Sequence, residues 1–157
     1  MLFGKQVRHV KRILIVEDEP LVAFDNELMV EAAGYTVVAT VDSVRDALTM
    51  LSRHHEACDP ADKECGIDLI LTDIGLTGNR SGVDLAREAG KIGIPVLFAT
   101  AAPPAGAEQL AIGVLLKPYN DRTLKAALKV VEKRLAGKAR IKAPDGMILY
   151  DEPPLAA

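Results

Sequence analysis

Glu17, Asp18, Asp73, Thr100 and Lys117 each stand at or just past the end of a short run rich in Ile, Val, Leu or Ala. If those runs are neighbouring strands, three carboxylates converge with a hydroxyl and an ammonium. Like charges held together raise one another's pKa, so such a cluster calls for a proton or a cation. Carboxylate oxygens completed by water and phosphate oxygens suit a hard divalent ion in near-octahedral geometry, which points to Mg²⁺. Lys117 precedes Pro118, which biases it away from helical geometry. At a strand end beside acids it is placed to act as a point charge on phosphate. Thr100 offers a hydroxyl, and Ala101 after it leaves room for a tetrahedral group. Two neighbouring acids serve as contrasts. Glu19 reads as the cap of the following helix. Asp68 stands five residues before Asp73, about 16 Å away along an extended strand and therefore at the opposite end of the sheet.

Five apolar runs, at 12–16, 36–41, 67–72, 95–99 and 113–116, alternate with stretches of helical period. This is the pattern of βα units building a buried parallel sheet. Between the first two runs Leu21, Phe24, Leu28, Met29 and Ala32 recur at helical spacing, with Pro20 suited to the first turn and Gly34 to the stop. Ser43 and Asp46 resemble a capping box for a second helix through Leu51, and residues 82–89 form a third. Residues 120–136 place Leu124, Ala127, Leu128, Val131 and Leu135 on one face and Lys125, Lys129 and Lys133 off it. The connection holding Pro103, Pro104 and Gly106 is rich in breakers, so a short or loose helix is expected there. Residues 52–66 make a long polar connection, read as a surface insertion. The expected fold is an open, doubly wound, five-stranded parallel sheet. Its functional residues lie beyond the carboxyl ends of the strands.

The 157 residues are 49% hydrophobic and 26% charged, with a net charge of −3 and no Trp. Those values predict one folded domain and offer nucleic acid neither a general charge attraction nor aromatic stacking platforms. The longest uncharged stretch, 92–107, holds three Pro and two Gly and is shorter than the roughly 18 apolar residues a membrane span needs. The apolar run behind the basic leader is too short for a signal peptide, and two cysteines make no disulfide framework, so a cytoplasmic location is expected.

The strings ILIVEDEP, LILTDIGL, LFATA and LLKPY resemble, in order and spacing, the motifs of response-regulator receiver domains of two-component signalling. The resemblance spans residues 12–136. It implies a flavodoxin-like sheet of order 2-1-3-4-5 and a phosphoacceptor at Asp73. Asp18 would ligate Mg²⁺ directly, with Glu17, Asp73 and the Gly75 carbonyl completing the protein's share of the metal site. Thr100 would bond a phosphoryl oxygen and Lys117 would pair with the phosphate. The partners implied are a sensor histidine kinase or a histidine phosphotransfer protein, and a downstream protein; neither nucleic acid nor membrane is among them. Leu76-Thr77 stands where receivers commonly have Met-Pro, and Val114 where an aromatic switch residue is expected. LFATA resembles the alphaproteobacterial subfamily nicknamed FAT GUY, with Ala101 in place of that motif's Gly. The fourth helix of such regulators is often poorly ordered, so phosphorylation is expected to order residues 101–112 rather than swing a ring. Two other readings are a Mg²⁺-dependent aspartyl-phosphate phosphohydrolase and a degenerate, unphosphorylated scaffold. The first lacks its second acid, since Gly75 stands two residues after Asp73, and the complete acid, Thr and Lys set speaks against the second.

Residues 1–11 read as a basic extension and residues 137–157 as a tail too short for an output domain. The apolar run 147–150 within that tail packs either on the receiver or on a partner. His54, His55, Cys58 and Cys65 match no standard zinc spacing and read as drift in a polar insertion with free thiols, a Cys58–Cys65 disulfide or a metal site being the alternatives.

Overall fold

A computed structural model describes residues 10–56, 59, 66–76 and 78–151. Its strands are β1 (Arg12–Val16), β2 (Thr36–Val41), β3 (Leu69–Asp73), β4 (Val96–Thr100), β5 (Gly113–Leu116) and β6 (Met147–Leu149). Its helices are α1 (Pro20–Ala32), α2 (Val44–Glu56), α3 (Gly82–Lys91) and α4 (Asp121–Leu135). They form one sheet of order β2-β1-β3-β4-β5-β6. The first five strands pair in parallel, as the apolar runs predict.

Alternate residues of each central strand feed two cores because successive side chains point to opposite faces. Ile13 and Ile15 of β1 meet Val30 of α1 with Leu124 and Leu128 of α4. Leu14 and Val16 meet Ala47 and Leu51 of α2 with Leu85 and Ala89 of α3. Both faces of the sheet are thus covered, which explains why these strands read as continuous apolar runs.

The expected five-stranded sheet has a sixth strand. Residues 147–149 return antiparallel along β5, with Val114 opposite Ile148. Three residues carry too little periodicity to announce a strand, and their pairing depends on a distant edge.

α1 forms where the helical spacing places it, but the residues that mark it are not the ones it buries. Leu21, Phe24 and Leu28 are 78%, 58% and 50% exposed. The face turned inward holds Asn26 and Val30, both buried. Helical spacing marks a stripe of apolar residues without saying which stripe meets the sheet. Glu19 occupies the cap position of α1 but makes no side-chain cap bond.

The other helix ends follow local chemistry. Ser43 accepts from the Asp46 N–H at 3.1 Å. Ser81 and Asp84 form a complete capping box on α3. Asn120 caps α4 by accepting from the Thr123 N–H at 2.9 Å. Where a short or loose helix is expected between β4 and β5, the chain makes one 3-10 turn, Ala107–Gln109, entered through Gly106 at φ 80°. The Pro-rich sequence ahead of it accounts for that brevity. Thr77, Cys58, Cys65 and the basic residues of 1–9 lie outside the described residues, as does the side chain of His55. Among the described residues, no helix is long and apolar enough to cross a membrane.

Candidate acidic site at the strand ends

β1 and β3 are adjacent, so the residues at their carboxyl ends share one edge of the sheet. Glu17 and Asp18 follow β1 and Asp73 ends β3. One carboxylate oxygen from each of the three lies within 4.8 Å of the others. Lys117 reaches the same place from the end of β5: its Nζ is 3.3 Å from Glu17 Oε1 and 3.3 Å from Asp73 Oδ2. Its peptide bond to Pro118 is cis.

Glu17 is 3% exposed. Burial, reinforced by the neighbouring Asp73 carboxylate, pushes its pKa from 4.5 up to about 7, against the opposing pull of Lys117. Burial alone would lower the Lys117 pKa, but Glu17 and Asp73 outweigh it and hold the ammonium's pKa above its ordinary value. Glu17 Oε2 is buried and finds no hydrogen-bond partner among the described residues. A buried carboxylate oxygen without a partner is costly. Three converging carboxylates with one orphaned oxygen fit a hard divalent cation and the oxygen donor set of Mg²⁺.

The backbone around Asp73 is held from several sides. Its Oδ1 accepts the Ile74 N–H at 2.7 Å, and its carbonyl accepts the Thr72 hydroxyl at 2.8 Å. Gly82 opens α3 directly against it. A Cβ on Gly82 would stand 2.2 Å from the Asp73 carbonyl oxygen, so α3 and β3 can approach this closely only with glycine there. Sequence reading missed Gly82. The signal available was a glycine immediately after a capping serine, where the backbone of a strand end must pass.

Thr100 ends β4 next to β5, opposite Leu116. Its hydroxyl is engaged locally, donating to the Ala102 carbonyl at 3.2 Å and accepting the Ala102 N–H at 3.3 Å. Gly75 lies in the exposed turn after β3, and nothing stands within 4 Å of where its Cβ would be. The structure thus brings Glu17, Asp18, Asp73 and Lys117 together, with Thr100 on the adjoining strand and Gly75 on the rim. Asp68 sits at the far end, its Oδ2 accepting the Lys11 and Arg12 N–H groups at 2.9 Å each. A groove of about 450 Å³ opens beside the cluster between α1 and the end of β5, lined by Glu19, Asp25, Asn26, Lys117 and Tyr119 among others. The Tyr119 hydroxyl donates to the buried Asn26 at 2.6 Å and joins the two walls.

The family model described as the response regulator receiver domain matches residues 13–129. The chain belongs to that family. This receiver is 32% identical over 120 residues to the phyllosphere-induced regulator PhyR of Methylorubrum extorquens, covering 74% of the chain and 41% of PhyR. It is 30% identical over 147 residues to the two-component response regulator PhoP of Pseudomonas aeruginosa, covering 89% of the chain and 60% of PhoP. The crystal structure of PhyR from Brucella abortus superposes with a TM-score of 0.60 at 30% identity, covering 82% of the receiver and 49% of that chain. The receiver therefore spans less than two thirds of the length of these relatives. Membership makes it a signalling domain of two-component systems, and its Glu/Asp/Asp cluster is compatible with metal binding.

Proposed function

We propose that this receiver accepts a phosphoryl group from a phosphohistidine onto Asp73 in a Mg²⁺-dependent reaction. The observation that carries the reading is the convergence of three carboxylates within 4.8 Å on an ammonium 3.3 Å from both Glu17 and Asp73. An Asp73 carboxylate oxygen attacks phosphorus, the P–N bond to the donor's imidazole breaks, and the ring nitrogen keeps the electron pair and takes up a proton. The product is an acyl phosphate on Asp73. Lys117 pairs with the transferred group and holds its charge, while the Thr100 hydroxyl leaves its turn to donate to a phosphoryl oxygen. Glu17, Asp18, Asp73 and the Gly75 carbonyl are the residues for Mg²⁺, which when bound neutralises the phosphoryl oxygens.

A donor protein must bring its histidine to Asp73, and α1, the helix that follows Glu17 and Asp18, offers Leu21, Phe24 and Leu28 to solvent. An exposed apolar stripe on the helix leaving the acidic site is the expected seat for a histidine kinase or phosphotransfer protein. Such donors place the reaction in the cytoplasm. The output is contact with a further protein, so the molecule is a switch rather than a metabolic enzyme. Phosphorylation is proposed to order residues 101–112 around the single 3-10 turn, since Val114 cannot act as an aromatic switch.

Incubation with a small-molecule phosphodonor and Mg²⁺ tests the assignment. A single phosphoryl adduct by intact mass, absent in Asp73→Asn and without Mg²⁺, is the expected result. No adduct with the donor or with a cognate kinase would favour the scaffold.

A further inference from the structure

β6 occupies the outer edge of β5, tied at its first end beside the phosphoryl position and at its last end to the residue that precedes β5, at the opposite edge of the sheet. At one end the Leu116 N–H donates to the Gly146 carbonyl at 2.8 Å. The next residue is Lys117, whose N–H donates to the Thr100 carbonyl at 3.0 Å and whose ammonium lies 3.3 Å from Glu17 and Asp73. One peptide unit thus separates the site's cation from the first bond of the β6 segment. At the other end the Tyr150 N–H donates to the Ile112 carbonyl at 3.1 Å. Tyr150 and Ile148 pack against the same core cluster as Ala107, Leu110 and Ala111, which form the 3-10 turn and its exit.

β5 is shaped for this neighbour. A Cβ on Gly113 would stand 2.5 Å from the Ile148 carbonyl oxygen and 3.2 Å from Met147 Cε. Glycine inside a strand marks a place where another backbone comes close, and here the three nearest atoms all belong to β6. β6 is three residues long. Ile148 and Leu149 are half-buried, with Met147 alone buried. A short edge strand of this kind belongs to the least stable part of a sheet.

We infer that the outer edge of β5 is a strand-accepting surface, held in cis by residues 146–150 and vacated when Asp73 is phosphorylated. The inference rests on the phosphoacceptor reading above. When Lys117 exchanges Glu17 for phosphoryl oxygens and Thr100 turns its hydroxyl toward them, both strand ends are drawn toward β3. That displacement carries Leu116 away from Gly146 and opens the ladder from the end nearest the site. The bared edge presents the unpaired N–H and C=O groups of Gly113–Leu116, which fit an extended apolar peptide resembling the segment that left.

Amide exchange on the full chain, with and without beryllofluoride and Mg²⁺, tests this. The Leu116 and Tyr150 amides should exchange at least tenfold faster with the phosphate mimic, while amides in β1 and β3 keep their protection. Gly113→Ala should produce the same acceleration without the mimic, with β1 and β3 protection reporting that the variant is folded. A labelled peptide of residues 144–151 should bind the wild-type chain at least tenfold more tightly when the mimic is present. Resonance shifts at Thr100 and Lys117 on adding the mimic, together with unchanged exchange at Leu116 and Tyr150, overturn the inference and leave the phosphoacceptor reading standing. Absence of those shifts overturns both. If Gly113→Ala does not fold, the wild-type comparison decides alone.

Discussion

At the proposed metal site a proton and a divalent cation would compete for Glu17. Burial and the Asp73 carboxylate raise its pKa from 4.5 to about 7, so the folded protein holds more protons there than the unfolded chain between those two values. Metal-free stability contributed by this residue is therefore largest at low pH and declines as pH rises through that window. Denaturant midpoints measured in chelator check this, and Glu17→Gln should flatten the dependence. Mg²⁺ needs the ionised form, so its apparent affinity should fall about tenfold for each pH unit below 7 as the proton wins. A dissociation constant that does not change with pH between 5 and 7 would contradict that competition. Lys117 sits on the same carboxylates and acts in the opposite sense on cation and phosphate. Lys117→Ala should tighten Mg²⁺ binding several-fold, because a competing positive charge is lost, yet slow phosphorylation by about 100-fold or more, because the transferred group loses its counter-charge. Titration calorimetry and labelling rates separate the two effects.

Elements carry the placement, and two of them were not legible in the same way. The strand runs at 12–16, 36–41 and 113–116 read correctly to the residue; in β1 and β5 this is because strands covered on both faces are apolar almost throughout, and in the edge strand β2 because β-branched Val and Thr fill most of the run. The helix at 20–32 was legible as a helix but not in orientation. Leu21, Phe24 and Leu28 suggest a buried stripe, whereas Asn26 goes inside because Tyr119 donates to it. A buried polar residue satisfied by a partner 93 positions away leaves no mark in local periodicity. Substituting Phe24→Ser should cost no more than about 0.5 kcal/mol of stability, as for other exposed sites, while sharply slowing transfer from a cognate donor protein and leaving a small phosphodonor unaffected. Equal slowing with both donors would remove α1 from the docking surface. Gly82 makes the opposite case, where one atom matters to the element beside it. Gly82→Ala forces a contact of 2.2 Å with the Asp73 carbonyl, and overpacking of this kind costs about 1–3 kcal/mol. For a domain of this size that is a fall of roughly 2–12 °C in melting temperature, and the displaced Asp73 should also slow phosphorylation.

The molecule as a whole is one sheet whose carboxyl edge collects residues distant in sequence. Most of that edge was readable in advance, because acids, hydroxyl and ammonium at four strand ends are chemically conspicuous wherever the strands themselves are clear. The engagement of Thr100 with Ala102, the close approach at Gly82 and the return of residues 147–149 to β5 were not. Each depends on which backbone comes near which, and that is settled only when the sheet closes. The sixth strand also changes what the receiver shows its surroundings, since the β5 edge is covered in this state. All of these features take their meaning from the covalent event proposed at Asp73, and that event can be read directly. The protein is phosphorylated with Mg²⁺ and a small donor, reduced with borohydride, digested and mapped by mass. An acyl phosphate on Asp73 predicts homoserine at position 73 alone. Phosphate retained on a hydroxyl such as Thr100, or homoserine at Asp18 instead, would contradict the account.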